Sequence, residues 1–91
     1  MAEEKYPDAI QEYKTAAQLD PNLEGVHYNL GSAQAKLGLY DDAIDSFKKA
    51  LEKSGDDYDT EIALANAYDA KGLKKEAAEE RRKAAELTGK N

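Results

Sequence analysis

A chain of 91 residues forms one domain at most, and a domain of that size buries only about 60 to 65% of the surface that its unfolded form exposes. Charged residues make up 35% of it and cysteine is absent, so neither a disulfide framework nor a thiolate metal site can staple a small core. With 13 Lys and Arg against 19 Asp and Glu the net charge is −6, which argues against electrostatic binding to nucleic acid or to anionic lipid. No apolar run approaches the roughly 20 residues that a membrane span needs. The opening MAEEKYPD lacks the basic start and apolar centre of a signal peptide, so a soluble, cytoplasmic chain is expected.

Ala, Leu, Glu, Lys and Gln dominate, prolines occur only at Pro7 and Pro21, and β-branched residues are few, which is a helical vocabulary. The first predicted helix starts around Pro7, where a missing N–H costs nothing, and runs to Leu19; Asp20, Pro21 and Asn22 then turn the chain. From Leu23 to Leu37 the residues Val26, Leu30, Ala33 and Leu37 recur at helical intervals, with Asn22 as N-cap and Gly38 as the left-handed stop. From Asp41 to Lys53 a second stripe is made by Ala43, Ile44, Phe47, Ala50 and Leu51. Asp41 and Asp42 open it and Gly55 closes it. A helix over Tyr58 to Lys71 follows Asp57 and stops at Gly72, and the last spans about 74–87.

These elements repeat. Leu30 and Leu64, Gly38 and Gly72, Ala43 and Ala77, and Ala50 and Ala84 are each 34 residues apart, and the same step backwards carries Ala43, Phe47 and Ala50 to Ala9, Tyr13 and Ala16. Five helices in the order B, A, B, A, B are therefore expected. Residues 1–22 form a half repeat with helix B only, 23–56 a full repeat, and 57–91 a second full repeat. In that last unit Lys75/Glu79, Glu79/Lys83 and Arg82/Glu86 are spaced for ion pairs on a wetted face, which predicts a polar capping helix.

In its period and motifs the chain resembles the tetratricopeptide repeat family, whose pattern is W-x2-L-G-x2-Y, then A-x3-F, then P. Leu30-Gly31 and Ala43 with Phe47 match, while His27, Gln34 and Gly55 take the Trp, Tyr and Pro places. In the next unit Leu64, Ala65, Tyr68 and Ala77 match, and Glu61, Arg81 and Gly89 depart; the half unit offers Ala9, Tyr13 and Pro21. The resemblance implies an all-α, right-handed solenoid of antiparallel helix pairs. Small residues at Gly31 and Ala65 would let each helix A lie close to its helix B, with Tyr13 and Phe47 filling the wedge.

The resemblance also implies a non-enzymatic protein-interaction module, with A helices lining a concave, peptide-binding groove. Carried onto this chain, that groove comprises Tyr28, Asn29, Ser32 and Lys36 beside Asp59, Ile62, Ala63, Asn66 and Asp69. Some members capture a C-terminal carboxylate through Asn, Lys and Arg. Here Asn29 fits, but Asp59 and Ala63 stand where the cations belong, so a neutral or basic segment meeting Asp59 and Asp69 is expected rather than an acidic tail. The alternative is an assembly element: the first helix lacks its own helix A, which leaves the Ile10 and Tyr13 side open to homo-oligomer formation.

Residues that could carry chemistry have plainer readings. His27 is the only histidine and lacks a second His or Cys to complete a metal site or a dyad. Asp41, Asp42 and Asp45 lack calcium-loop spacing and read as a helix N-terminus; Asp56, Asp57 and Asp59 read as a solvated cap. No catalytic signature or phosphate-cradling glycine loop occurs, so no enzyme activity and no cofactor are expected.

Overall fold

The computed structural model describes residues 6–23, 25–55 and 57–89, and among these there are five α-helices and no strand. They are α1 (Tyr6–Leu19), α2 (Val26–Lys36), α3 (Tyr40–Ser54), α4 (Tyr58–Ala70) and α5 (Lys74–Leu87). Glycine ends both A helices in the same way. At Gly38 (φ +79°) the Leu39 N–H donates to the Gln34 carbonyl at 2.9 Å; at Gly72 (φ +83°) the Leu73 N–H donates to the Tyr68 carbonyl, also at 2.9 Å. Only a residue without Cβ adopts that left-handed backbone cheaply, so the sequence itself dictates where α2 and α4 must turn into α3 and α5.

Helix α4 begins as expected. The Asp57 carboxylate accepts the Thr60 N–H at 3.0 Å and the Thr60 hydroxyl at 2.7 Å. Asp56, assigned to the same cap, lies outside the described residues. Helix α2 begins differently. Its N-cap is Gly25 (φ 85°), not Asn22, whose N–H donates to the Asp20 side chain at 3.2 Å and belongs to the turn with Pro21. At the other end of α2, Leu37 is the C-cap and is exposed, so of the four apolar residues of the stripe Val26, Leu30 and Ala33 are buried and Leu37 is not.

The main core joins Ala43, Ile44 and Phe47 of α3 to Leu64, Ala65, Ala67 and Tyr68 of α4 and Ala77 of α5. A smaller cluster joins Ile10 of α1 to Leu30 and Ala33 of α2, with Tyr6 and Tyr13 against it. Gly31 is a close-approach site: a Cβ there would lie 2.7 Å from Phe47 Cε1, so the absent side chain is what admits the ring. In the Tyr place, Gln34 is buried and its Oε1 accepts the Ser46 hydroxyl at 2.7 Å, which satisfies a polar pair between α2 and α3. Successive helices pack in order, and α2 also touches α4, whereas α1 and α3 do not meet. The A helices therefore crowd the inner side and the B helices spread on the outer side, which bends the array and leaves a concave face along α2 and α4.

Ile10 is only 8% exposed because it points into α2, so it belongs to the chain's own core and not to an open face. Tyr13 is half-buried. At the opposite end, Arg82 pairs with Glu86 at 3.3 Å, and Lys83 pairs with Glu80, not with Glu79.

Candidate functional site

The concave face divides the predicted residues between two hollows. At the carboxyl ends of α2 and α4, Ser32, Lys36, Ala63 and Asn66 line a cavity of about 320 Å³ with Tyr40, Phe47 and alanines 35, 67 and 70. Towards the amino ends, Tyr28 and Asp59 share a hollow of about 390 Å³ with Leu23, His27, Lys53 and Thr60. Asn29 is exposed and Ile62 half-buried; neither lines either hollow. Tyr28 bridges the two, its ring centroid 5.8 Å from that of Phe47 and tilted by 50°.

Asp69 is already engaged. Arg81 of α5 reaches back to donate to the Asp69 carboxylate and, at 3.1 Å, to the Asn66 carbonyl oxygen, while Lys74 lies 3.6 Å from the other Asp69 oxygen. The hydrogen bond from Arg81 is the main reason that the Asp69 carboxyl sits below its ordinary pKa, with the charges of Arg81 and Lys74 adding to it. Asp69 is thus held within the fold and is not an open receptor for a basic segment. The expected preference for a neutral or basic segment consequently rests on Asp59, for which no ion pair within 4 Å occurs among the described residues.

Two features of the site escaped the sequence reading. Phe47 was placed as a wedge between helices, yet its ring also floors the cavity, because Gly31 offers no side chain to cover it. Arg81 stands in the sequence only as a departure from the motif, yet it bonds to two groove residues, Asn66 and Asp69. The 34-residue step was the available signal: it puts Arg81 where Phe47 stands and Asp69 where Ala35 stands, so an opposite pair replaces a hydrophobic contact.

His27 is half-buried between the inner hollow and an outer cleft shared with Lys14 and Lys49. Burial lowers its pKa first, and the nearby charges of Lys49 and Lys53 lower it further; its Nδ1 has no hydrogen-bond partner. Among the described residues no group of three or more His, Cys, Asp or Glu side chains is arranged to hold a metal ion. None of the described helices is long and apolar enough to cross a membrane.

Comparison with known proteins gives a consistent picture. A family profile described as TPR repeat matches residues 1–38, and another described as Tetratricopeptide repeat matches residues 26–57. Among curated protein sequences none matches. Among solved structures, MamA AMB-1 superimposes with a TM-score of 0.88 at 35% identity, covering 93% of this chain and 46% of that one. MamA MSR-1 gives 0.90 at 35% identity, covering 93% and 49%. A further crystal structure of MamA gives 0.87 at 26% identity, covering 91% and 48%. The chain spans about half the length of these structures. The 34-residue register, the paired glycine stops and the matching profiles lead to one conclusion: this chain belongs to the tetratricopeptide repeat family.

Proposed function

We propose that the chain is a non-catalytic docking module that holds an extended segment of a partner polypeptide along the concave face of α2 and α4. The carrying observation is the cavity of about 320 Å³, which gathers Ser32, Lys36, Ala63 and Asn66 from two helices 34 residues apart around the Phe47 ring. A polypeptide suits such a site because side chains can enter the hollow while polar groups on the rim hold the backbone. Peptides selected by display against the chain should lose about tenfold or more in affinity on Ser32→Trp, which fills the cavity. Glu79→Ala, on exposed α5, should leave them bound. Binders indifferent to Ser32→Trp would remove this reading.

A second reading, assembly between copies, has its own observation. Ala9, Tyr13 and Ala16 are half-buried, while their counterparts Ala43, Phe47 and Ala50 are buried, Phe47 against Gly31 of α2. That side of α1 is what another helix A would cover, and Tyr13 carries it without Ile10. Sedimentation should show association that Tyr13→Glu abolishes; a monomer at every concentration would exclude it.

A further inference from the structure

The two ends of the groove differ in charge. Lys36 is the last residue of α2 and Lys71 follows the last residue of α4, so both A helices finish in a lysine. Around that end stand Lys36, Lys71, Lys74 and Arg81. The carboxylates that pair with them among the described residues are Asp41, held by Lys71, and Asp69, held by Arg81 and Lys74. Lys36 has no carboxylate within 4 Å among the described residues, is exposed, and lines the cavity itself. In a chain of net charge −6, this is a local excess of positive charge beside an apolar hollow.

The hollow sets the second requirement. Its wall is built from alanines of α2 and α4 with the Phe47 ring as floor, so it offers dispersion contacts and no buried charge. An aliphatic side chain fits that chemistry. Beyond the apolar wall, the Ser32 hydroxyl and Asn66 amide stand ready to hold a passing backbone, and the Lys36 ammonium can donate to an acid on the neighbouring residue.

Resting on the groove reading above, we propose that the segment recognised is an aliphatic residue adjacent to an Asp or Glu, the aliphatic side chain entering the alanine-lined cavity and its acidic neighbour meeting Lys36. This reverses the charge preference that Asp59 and Asp69 suggest in the sequence. Two facts carry the reversal: Asp69 is neutralised within the fold, and Asp59 lines the other hollow.

The test is an amide chemical-shift titration of the labelled chain with terminally blocked peptides that differ only at a central pair, Leu-Glu, Leu-Lys or Ala-Glu. Leu-Glu should shift the amides of Ser32, Lys36, Ala63 and Asn66, bind about threefold to fivefold more tightly than Leu-Lys, as expected of an exposed ion pair, and bind about tenfold more tightly than Ala-Glu, which lacks the aliphatic side chain that fills the hollow. Lys36→Gln should remove the advantage over Leu-Lys, and Lys36→Glu should invert it. Because Lys36 is exposed, both variants should keep the helical spectrum of the parent. Equal shifts from Leu-Glu and Leu-Lys, or a preference that survives Lys36→Gln, would overturn the acidic preference while leaving the groove reading standing. Absence of any shift on α2 and α4 with all three peptides would overturn both.

Discussion

Replacing Gly31 by alanine sets two effects of known size against each other. In a helix interior alanine is favoured over glycine by about 0.8 to 1 kcal/mol, so propensity alone predicts a more stable protein. The structure predicts the opposite. A Cβ on residue 31 would lie 2.7 Å from Phe47 Cε1 and 2.8 Å from Cδ1, roughly 1 Å inside the usual carbon–carbon separation. Phe47 is only 2% exposed and is packed into the main core, so its ring cannot step aside freely. Overpacking of this kind costs about 1 to 3 kcal/mol, which outweighs the propensity gain. A net loss of about 1 kcal/mol should lower Tm by roughly 4 to 8 °C in a domain of this size. Urea and thermal unfolding followed by circular dichroism would measure it. In a Phe47→Leu background the space opens, and Gly31→Ala should become neutral or stabilising, so the two changes should couple by about 1 kcal/mol or more. Gly31→Ala raising Tm with Phe47 in place would refute the close-approach argument.

Other consequences can be checked in the same assays. Asp57→Ala removes the acceptor of two hydrogen bonds from Thr60 and should cost about 1 kcal/mol, whereas Asn22→Ala should change stability by less than about 0.5 kcal/mol. The lowered pKa of His27 means that the unfolded chain takes up the proton first. Stability should therefore be full above pH 6.5, fall as pH drops below 6.5, and level off once the folded state is also protonated; His27→Gln should flatten that dependence. Arg81→Ala removes the largest cause of the low Asp69 pKa, so a carboxyl titration by NMR should show Asp69 moving back towards 3.8.

How far the sequence alone reaches depends on how local each signal is. Gly38 and Gly72 marked the helix ends correctly because a left-handed residue is a property of one position. Asn22 misled because it belongs to the turn in which its N–H donates to Asp20, and α2 starts only after Gly25, too far along for the Asn22 side chain to cap it. Ile10 misled because its face of α1 is the one turned to α2, where it is buried with Leu30 and Ala33. At the site, periodicity brought Ser32, Lys36 and Asn66 together because equivalent helix faces align when repeats stack. The state of Asp69 was not legible, since it depends on the reach of Arg81 from a different helix 12 residues along.

The claim that most needs testing is that partners dock on the inner face of α2 and α4. A photoreactive amino acid placed in turn at Ser32, at exposed Thr15 of α1 and at exposed Glu79 of α5, each irradiated with a display-selected peptide, reads the docking face directly. Cross-linking from position 32 and not from 15 or 79 is the predicted result. Cross-links from 15 or 79 with none from 32 would contradict the account.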